Sequence, residues 1–271
     1  MSAWDLYTDR MTVRGTTKRE TAYRRETMFL GTKVPDSLSF HTATIFKSDY
    51  GYNINSDEMR AHAIEQNVAI INSDNLNEKT ILSMPGEDIE HGSLVEWMDN
   101  YWLVTERDAN TTLYTRAKLL QCNYLLRWVS EDHRICEQWC VVEDGTKYLT
   151  GEMEDRWFIT TRGDSRIAVT IARNALTVRF GRANRFLIDD PASPNMMAYT
   201  LSKPMKLGEN YNGNGIFKFV MQEVVSTDDD NQELRIADYY KHFPKDVTVD
   251  PYSPEVINPD VTLDNGRKVW L

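Results

Sequence analysis

The sequence predicts a mainly β protein: a small antiparallel β-barrel, a second β-sandwich-like domain, a short N-terminal helix and extended termini. Three observations carry that expectation. Between Gly92 and Val129 apolar and polar residues alternate with the period of a half-buried strand. Aromatic and β-branched runs outnumber helix-period runs, and 7 Trp, 13 Tyr and 9 Phe supply enough ring area to fill two sheet cores. Turn-forming Asn, Asp and Gly clusters recur between these runs.

Four regions follow from the pattern: an arm and helix over 1–39, the barrel over 40–150, a second β domain over 151–225 and an acidic tail over 226–271. Residues 1–15 have no sustained period and carry Trp4, Leu6 and Tyr7 as isolated apolar anchors, as an arm that docks elsewhere would. Thr17 to Leu30 reads as a helix. Thr17-x-x-Glu20 has the capping-box spacing, Gly31 is placed as a C-terminal cap, and Lys18, Arg19, Arg24 and Arg25 form a solvated basic side open to an acidic partner or DNA.

Phe40 to Phe46 alternates as a strand, and a short helix is expected over Asp57 to Gln66. Val68 to Ile71 and Lys79 to Met84 are strands around an Asn/Asp-rich turn, with Pro85-Gly86 closing the pair. The central hairpin runs from Leu94 to Thr105. Asp99-Asn100 is expected as its type I′ turn, which brings Trp97 and Trp102 together across the ladder. Leu113 to Val129 supplies a third apolar run, and a closed sheet is the smallest object that buries all three. Ile135 to Val142 is a further strand, with Asp144-Gly145 as a second hairpin turn.

In the second domain the strand candidates are Phe158 to Thr161, Arg166 to Ala172, Ala175 to Phe180, Arg185 to Ile188, Met197 to Leu201 and Gly215 to Val225. The glycine-rich stretch Gly208 to Gly215 has no Lys-Ser/Thr after it and reads as a hairpin loop rather than a phosphate cradle. Beyond Val225 the chain holds three consecutive Asp, a short helical stretch from Gln232 to His242 and Pro-rich text, a tail that folds on a neighbour or stays free.

Composition narrows the function classes. The formal charge of −10 argues against general nucleic-acid binding, which needs a cationic surface. The charge is unevenly spread: residues 40–150 hold 9 Lys and Arg against 18 Asp and Glu, whereas Arg156 to Arg185 holds seven Arg and one acid, Asp164. Arginine pairs with carboxylates, so the second domain is expected to meet an acidic neighbour, such as the next subunit's barrel. No stretch reaches the roughly 18 apolar residues of a membrane span, and no signal-peptide pattern opens the chain; a soluble protein made in a reducing cytoplasm is expected.

Candidate chemistry is sparse. His133, Cys136 and Cys140, with Cys122 upstream, offer zinc-binding atoms, but without the tight knuckle that structural zinc prefers, so buried reduced thiols are expected. The loop acids Glu87, Asp88 and Glu90 lack a catalytic partner, and Arg162-Gly163-Asp164 reads as a strand turn. The expectation is therefore no catalytic residue, no cofactor and no metal. Trp97, Trp102, Trp128 and Trp139 belong to the barrel core and its rim.

At GSLVEWMDNYWLVTE, residues 92–106, the chain resembles the small barrels of tailed-phage neck proteins, most of all head-closure, or stopper, proteins. There a glycine, an apolar strand, a tight turn and an aromatic-led return strand make the barrel wall. The flanking text, from NSDNLNEKTILSMPGEDIEHG to LLQCNYLLRWVSEDHRICEQWCVVEDGTKYLTGE, and the later RWFITTRGDSRIAVTIARN are similar in character to virion structural proteins of phages of Gram-positive bacteria. The resemblance implies a non-enzymatic virion protein in a six-fold or twelve-fold ring at the neck. Its partners would be the portal or adaptor and the tail terminator, with genomic DNA passing through the lumen without sequence-specific binding and no membrane involved. It would be made in the host bacterial cytoplasm, close the capsid exit after packaging and open at ejection. Greater length, a second domain and an acidic tail depart from the simplest stoppers.

Two alternatives stand beside it, a tail protein (terminator or distal-tail adaptor) and a carbohydrate-binding β-sandwich module. The residues expected to carry assembly are Trp97 and Trp102 for the barrel, Arg173, Arg179 and Arg182 for contacts, and Trp4, Tyr7 and Arg14 for the arm.

Overall fold

The structure is a computed structural model, and it describes residues 4, 7, 17–108, 113–144, 166–190, 192–206, 210–211 and 213–243. It is mainly β, built from two barrel-like sheets and few helices.

Helix α1 (Lys18–Lys33) begins where the sequence places it. The Thr17 hydroxyl accepts a hydrogen bond from the Glu20 backbone N–H at 3.1 Å. It does not stop at Gly31. The helix runs on to Lys33, with the Val34 N–H donating to the Leu30 carbonyl, and Pro35 ends it because proline has no N–H to continue the ladder.

Strands β1 (Phe40–Phe46), β2 (Ile64–Asn72), β3 (Glu78–Ser83), β4 (Leu94–Trp97), β5 (Asn100–Arg107) and β6 (Arg116–Gln121) close into a barrel in the order β1-β2-β3-β6-β5-β4. All its pairings are antiparallel. A single-turn helix α2 (Asp57–Arg60), capped by the Ser56 hydroxyl, sits between β1 and β2. The hairpin turn is Met98-Asp99, one residue earlier than expected. Those two residues hold φ of 49° and 58°, and Trp97 pairs with Asn100. Asn100 is drawn into β5 because its side-chain amide donates to the Met98 carbonyl at 2.7 Å while its oxygen accepts from Gln121 at 3.1 Å.

The apolar run from Leu113 to Val129 is two strands, and only the first belongs to the barrel. Cys122 makes the last barrel bond, its N–H donating to the Tyr101 carbonyl. Asn123 then clasps the backbone of Val142 through both ends of its amide, each at 2.8 Å, and turns the chain into another sheet. The barrel therefore closes at Gln121, and residues 124–144, expected in the barrel region, pair with the second sheet.

That sheet contains β7 (Tyr124–Val129), β8 (Ile135–Asp144), β9 (Arg166–Ala172), β10 (Arg185–Leu187), β11 (Ala198–Met205) and β13 (Asn214–Val224) in the order β10-β11-β13-β9-β8-β7, with β12 (Asn210–Tyr211) paired to the start of β13 as the expected hairpin. It curls until its outer strands approach, and the Tyr124 hydroxyl donates to the Leu187 carbonyl at 2.9 Å. The expected strand over Ala175 to Phe180 is instead a 3-10 turn at Thr177–Arg179. The Asn174 side chain accepts from the N–H groups of Leu176 and Thr177, which offers this backbone a tighter partner than a ladder. The candidates Phe158 to Thr161 and Arg162-Gly163-Asp164 and the turn at Gly145 lie outside the described residues.

Each sheet wraps its own core. Val95, Trp102, Val104, Ile70 and Ile81 fill the barrel, and Leu126, Val169, Phe186, Phe217 and Phe219 fill the second sheet. A third cluster lies between them. Phe46, Leu94, Leu103, Val141, Ala172 and Ile216 meet there, and Tyr101 stacks on Trp139 with ring centroids 4.7 Å apart. Strand β5 thus faces the barrel interior with Trp102 and Val104 and the second sheet with Tyr101 and Leu103, which is why it reads as a continuous apolar run.

The segment 226–243, expected as the start of a tail, folds onto its own chain. Ile236, Tyr239 and Phe243 are buried, and α3 (Tyr239–His242) is all that forms of the helix expected from Gln232. Left-handed Arg235 and Asp238, at φ 59° and 56°, and the bridge between Asn231 and Ile236 break the helical period.

Candidate functional site

The residues expected to carry assembly fall in three places. Trp97 and Trp102 meet, ring centroids 6.0 Å apart, as expected from the hairpin. Trp102 is buried in the barrel with Lys79 Nζ 5.9 Å from its ring, while Trp97 sits at the rim with its ring 5.1 Å from that of His41. These tryptophans build the wall, as aromatic cross-strand pairs do.

The arginines lie apart from the tryptophans. Arg179 pairs with Glu131 at 3.1 Å and Asp132 at 3.8 Å in the turn after β7, and Arg182 is exposed on the loop before β10. Arg173 follows β9, where its N–H donates to the Gly215 carbonyl at 2.9 Å. Another arginine, Arg185, makes the tightest acidic contact. Its guanidinium bonds Asp230 at 2.9 Å and Asp238 at 2.6 Å, which ties segment 226–243 to β10. The Asp230 carboxyl also accepts from the N–H groups of Thr227 and Asp238. Burial pushes this carboxyl up, but those N–H groups and the guanidinium outweigh it and hold the pKa below the ordinary aspartate value. Sequence reasoning named an acidic neighbour for the Arg-rich region but not the acids of the chain's own 226–243 segment. A cation forty-five residues from its partner leaves no local periodic signal.

On the arm, Trp4 and Tyr7 stack edge to face at 5.6 Å and are exposed, Trp4 at 72%. Arg14 lies outside the described residues. Helix α1 buries none of its residues, yet it presents Tyr23, Met28 and Phe29 to solvent, Met28 at 74%. A sixteen-residue helix of this kind is marginal by itself in water, because packing supplies most helical stability.

The groups weighed for chemistry make the following contacts. Asp88 pairs with Arg107 at 2.7 Å, and Glu90 pairs with Lys47 at 2.9 Å and accepts from Asn214 at 3.0 Å, fastening the loop before β4 to the second sheet. Cys122, Cys136 and Cys140 are buried free thiols, and burial pushes Cys122 well up, Cys136 to about 11 and Cys140 to about 12. Among the described residues no group of three or more His, Cys, Asp or Glu is placed to hold a metal ion, and no helix is long and apolar enough to cross a membrane.

A closed barrel joined to a curled sheet, with an unburied arm helix, defines the class as a mainly β protein. Residues 31–121 match the YomX N-terminal domain, a phage-derived family of the Bacillus phage SPbeta-like kind. The match ends where the barrel closes, at Gln121, and covers about a third of the chain. The chain carries a phage-associated domain, which points to a phage protein. No curated protein and no solved structure matches it.

Proposed function

We propose that this chain is a non-enzymatic virion structural protein that forms a ring in the head-to-tail neck of a tailed phage, in the manner of a head-closure protein. The observation that carries the proposal is the closed barrel over 40–121, which lies within the segment 31–121 that is similar to the phage-derived domain. A closed antiparallel wall with a tight Met98-Asp99 hairpin is a compact block for lateral stacking. Its acid excess suits a lumen through which DNA slides, since like charge repels the phosphates that a basic wall would hold. In this reading the second sheet widens the ring, and the arm reaches an adjacent subunit or tier.

Quantitative mass spectrometry of purified particles, with a particle map at the neck, tests the proposal. The expected result is one ring's worth of copies per particle and density for both sheets between portal and tail. Absence from particles would overturn it, and density at the distal tail would replace it with the tail-adaptor reading.

A further inference from the structure

We infer that helix α1 of one copy docks, through its stripe Lys18, Ala22, Arg25, Phe29 and Lys33, on the acidic barrel face around Asp49, Asp57, Glu58 and Glu65 of a second copy. The inference rests on the proposed ring and names the contact that links its subunits.

The stripe follows from helical geometry. Steps of four, three, four and four residues return to the same side, so these five side chains form one row about 22 Å long. All five are exposed, and the row reads cation, small, cation, aromatic, cation. The helix as a whole holds five Lys and Arg against two Glu. Its own barrel leaves it uncovered, since no residue of α1 is buried.

The complementary face lies on the same chain. Barrel residues 40–121 hold thirteen Asp and Glu against six Lys and Arg. Other acids of that barrel are paired: Asp88 with Arg107, Glu90 with Lys47, Glu96 with Arg60 and Glu78 with Lys118. Asp49, Asp57, Glu58 and Glu65 are exposed and make no ion pair among the described residues. Local structure gathers them: Tyr50 stacks on His62 at 4.2 Å, α2 starts at Asp57, and Glu65 lies opposite Thr44 beside the Ile45 and Ile64 pair. Tyr50, next to Asp49, is an exposed large apolar group beside these acids, a seat for Phe29 between flanking charges. The helix supplies what the face lacks and the face supplies what the helix lacks. A helix from one copy on the barrel of the next is a heterologous contact, which closes into a ring when its rotation permits.

Charge reversal with complementation tests this. The full-length chain is compared with a helix variant (Lys18→Glu, Arg25→Glu, Lys33→Glu) and a face variant (Asp57→Lys, Glu58→Lys, Glu65→Lys) by native mass spectrometry and light scattering. Each variant alone is expected to self-associate roughly tenfold more weakly than the parent, and the two mixed are expected to recover hetero-oligomers. Far-ultraviolet circular dichroism and the thermal midpoint confirm folding, which the buried cores protect. Parent-like association of the helix variant, or a failure of the mixture to recover, would overturn the inference. So would a parent chain that stays monomeric and shifts double-stranded DNA through the stripe. If self-association follows the stripe while particles lack the protein at the neck, only the neck reading falls. If particles carry it there while the helix variant assembles normally, only this contact falls.

Discussion

A Cβ atom placed on Gly92 would lie 2.0 Å from the carbonyl oxygen of Gly215, so the loop before β4 and the start of β13 meet backbone to backbone. Gly92 also holds φ of +81°, a conformation that side chains disfavour. Gly92→Ala is therefore expected to lower stability by about 3 kcal/mol in urea unfolding, through strain and a forced separation of barrel from sheet. Gly31→Ala is the contrast. Nothing lies within 4 Å of its Cβ position inside α1, so the helix should gain about 1 kcal/mol, read as higher helicity.

Asp230, with its side chain fully buried against Arg185, is one of the two carboxylates that tie segment 226–243 to β10. Asp230→Asn removes the more deeply buried of the two carboxylates on the guanidinium, and a loss of roughly 3 kcal/mol is expected, with faster hydrogen exchange over 226–243 ahead of the sheet core. The fold prefers the ionised carboxylate, since its pKa is held low. Its contribution is complete above about pH 4 and is lost as pH falls through the lower folded value. An acid titration of the parent should show this loss, and the Asn variant should not.

His242 gives the segment a second pH response at a higher range. Burial, then the ring of His133 5.2 Å away, pushes its pKa down; Asp238 raises it and Lys241 lowers it. Because the fold favours the neutral ring, stability is full above about pH 6.5 and falls as pH drops from there toward the lower folded value. Hydrogen exchange over 230–243 should quicken between pH 7.5 and 5.5 after correction for intrinsic rates. His242→Phe should flatten the response, and an unchanged profile would contradict the account.

The three thiols should be silent in the folded protein. Burial keeps Cys122, Cys136 and Cys140 protonated at neutral pH, so a thiol reagent at pH 8 is expected to react slowly with the native chain and with all three after denaturation. Fast labelling of one thiol in native buffer would show that its packing opens locally.

Where a pattern was short-ranged, the sequence read well. Phe40–Phe46 and Arg166–Ala172 form strands with the bounds their alternation predicts, and Thr17 caps α1 as its spacing predicts. The misses share a physical cause. Asp99-Asn100 and Met98-Asp99 are both plausible two-residue turns, and the choice was made by Gln121, twenty-one residues away, holding Asn100. The apolar text of Leu113 to Val129 cannot say which sheet each half joins, because sheet membership depends on Asn123 meeting Val142. The exposed face around Glu65 was invisible for the same reason: acids from three separate stretches become neighbours only once β1 and β2 pair.

Closure of the six-stranded wall has one more consequence. A phage-infected cell makes many copies of a particle protein at once and in a small space, where any open ladder invites sheets to zip into fibres. Among the described residues the barrel strands close into a ring with no strand left as a free edge, and the two outermost strands of the second sheet turn toward each other. In the proposed ring, crowded copies would then recognise one another through side chains alone, which would keep their mutual binding reversible and open to correction until the right arrangement forms.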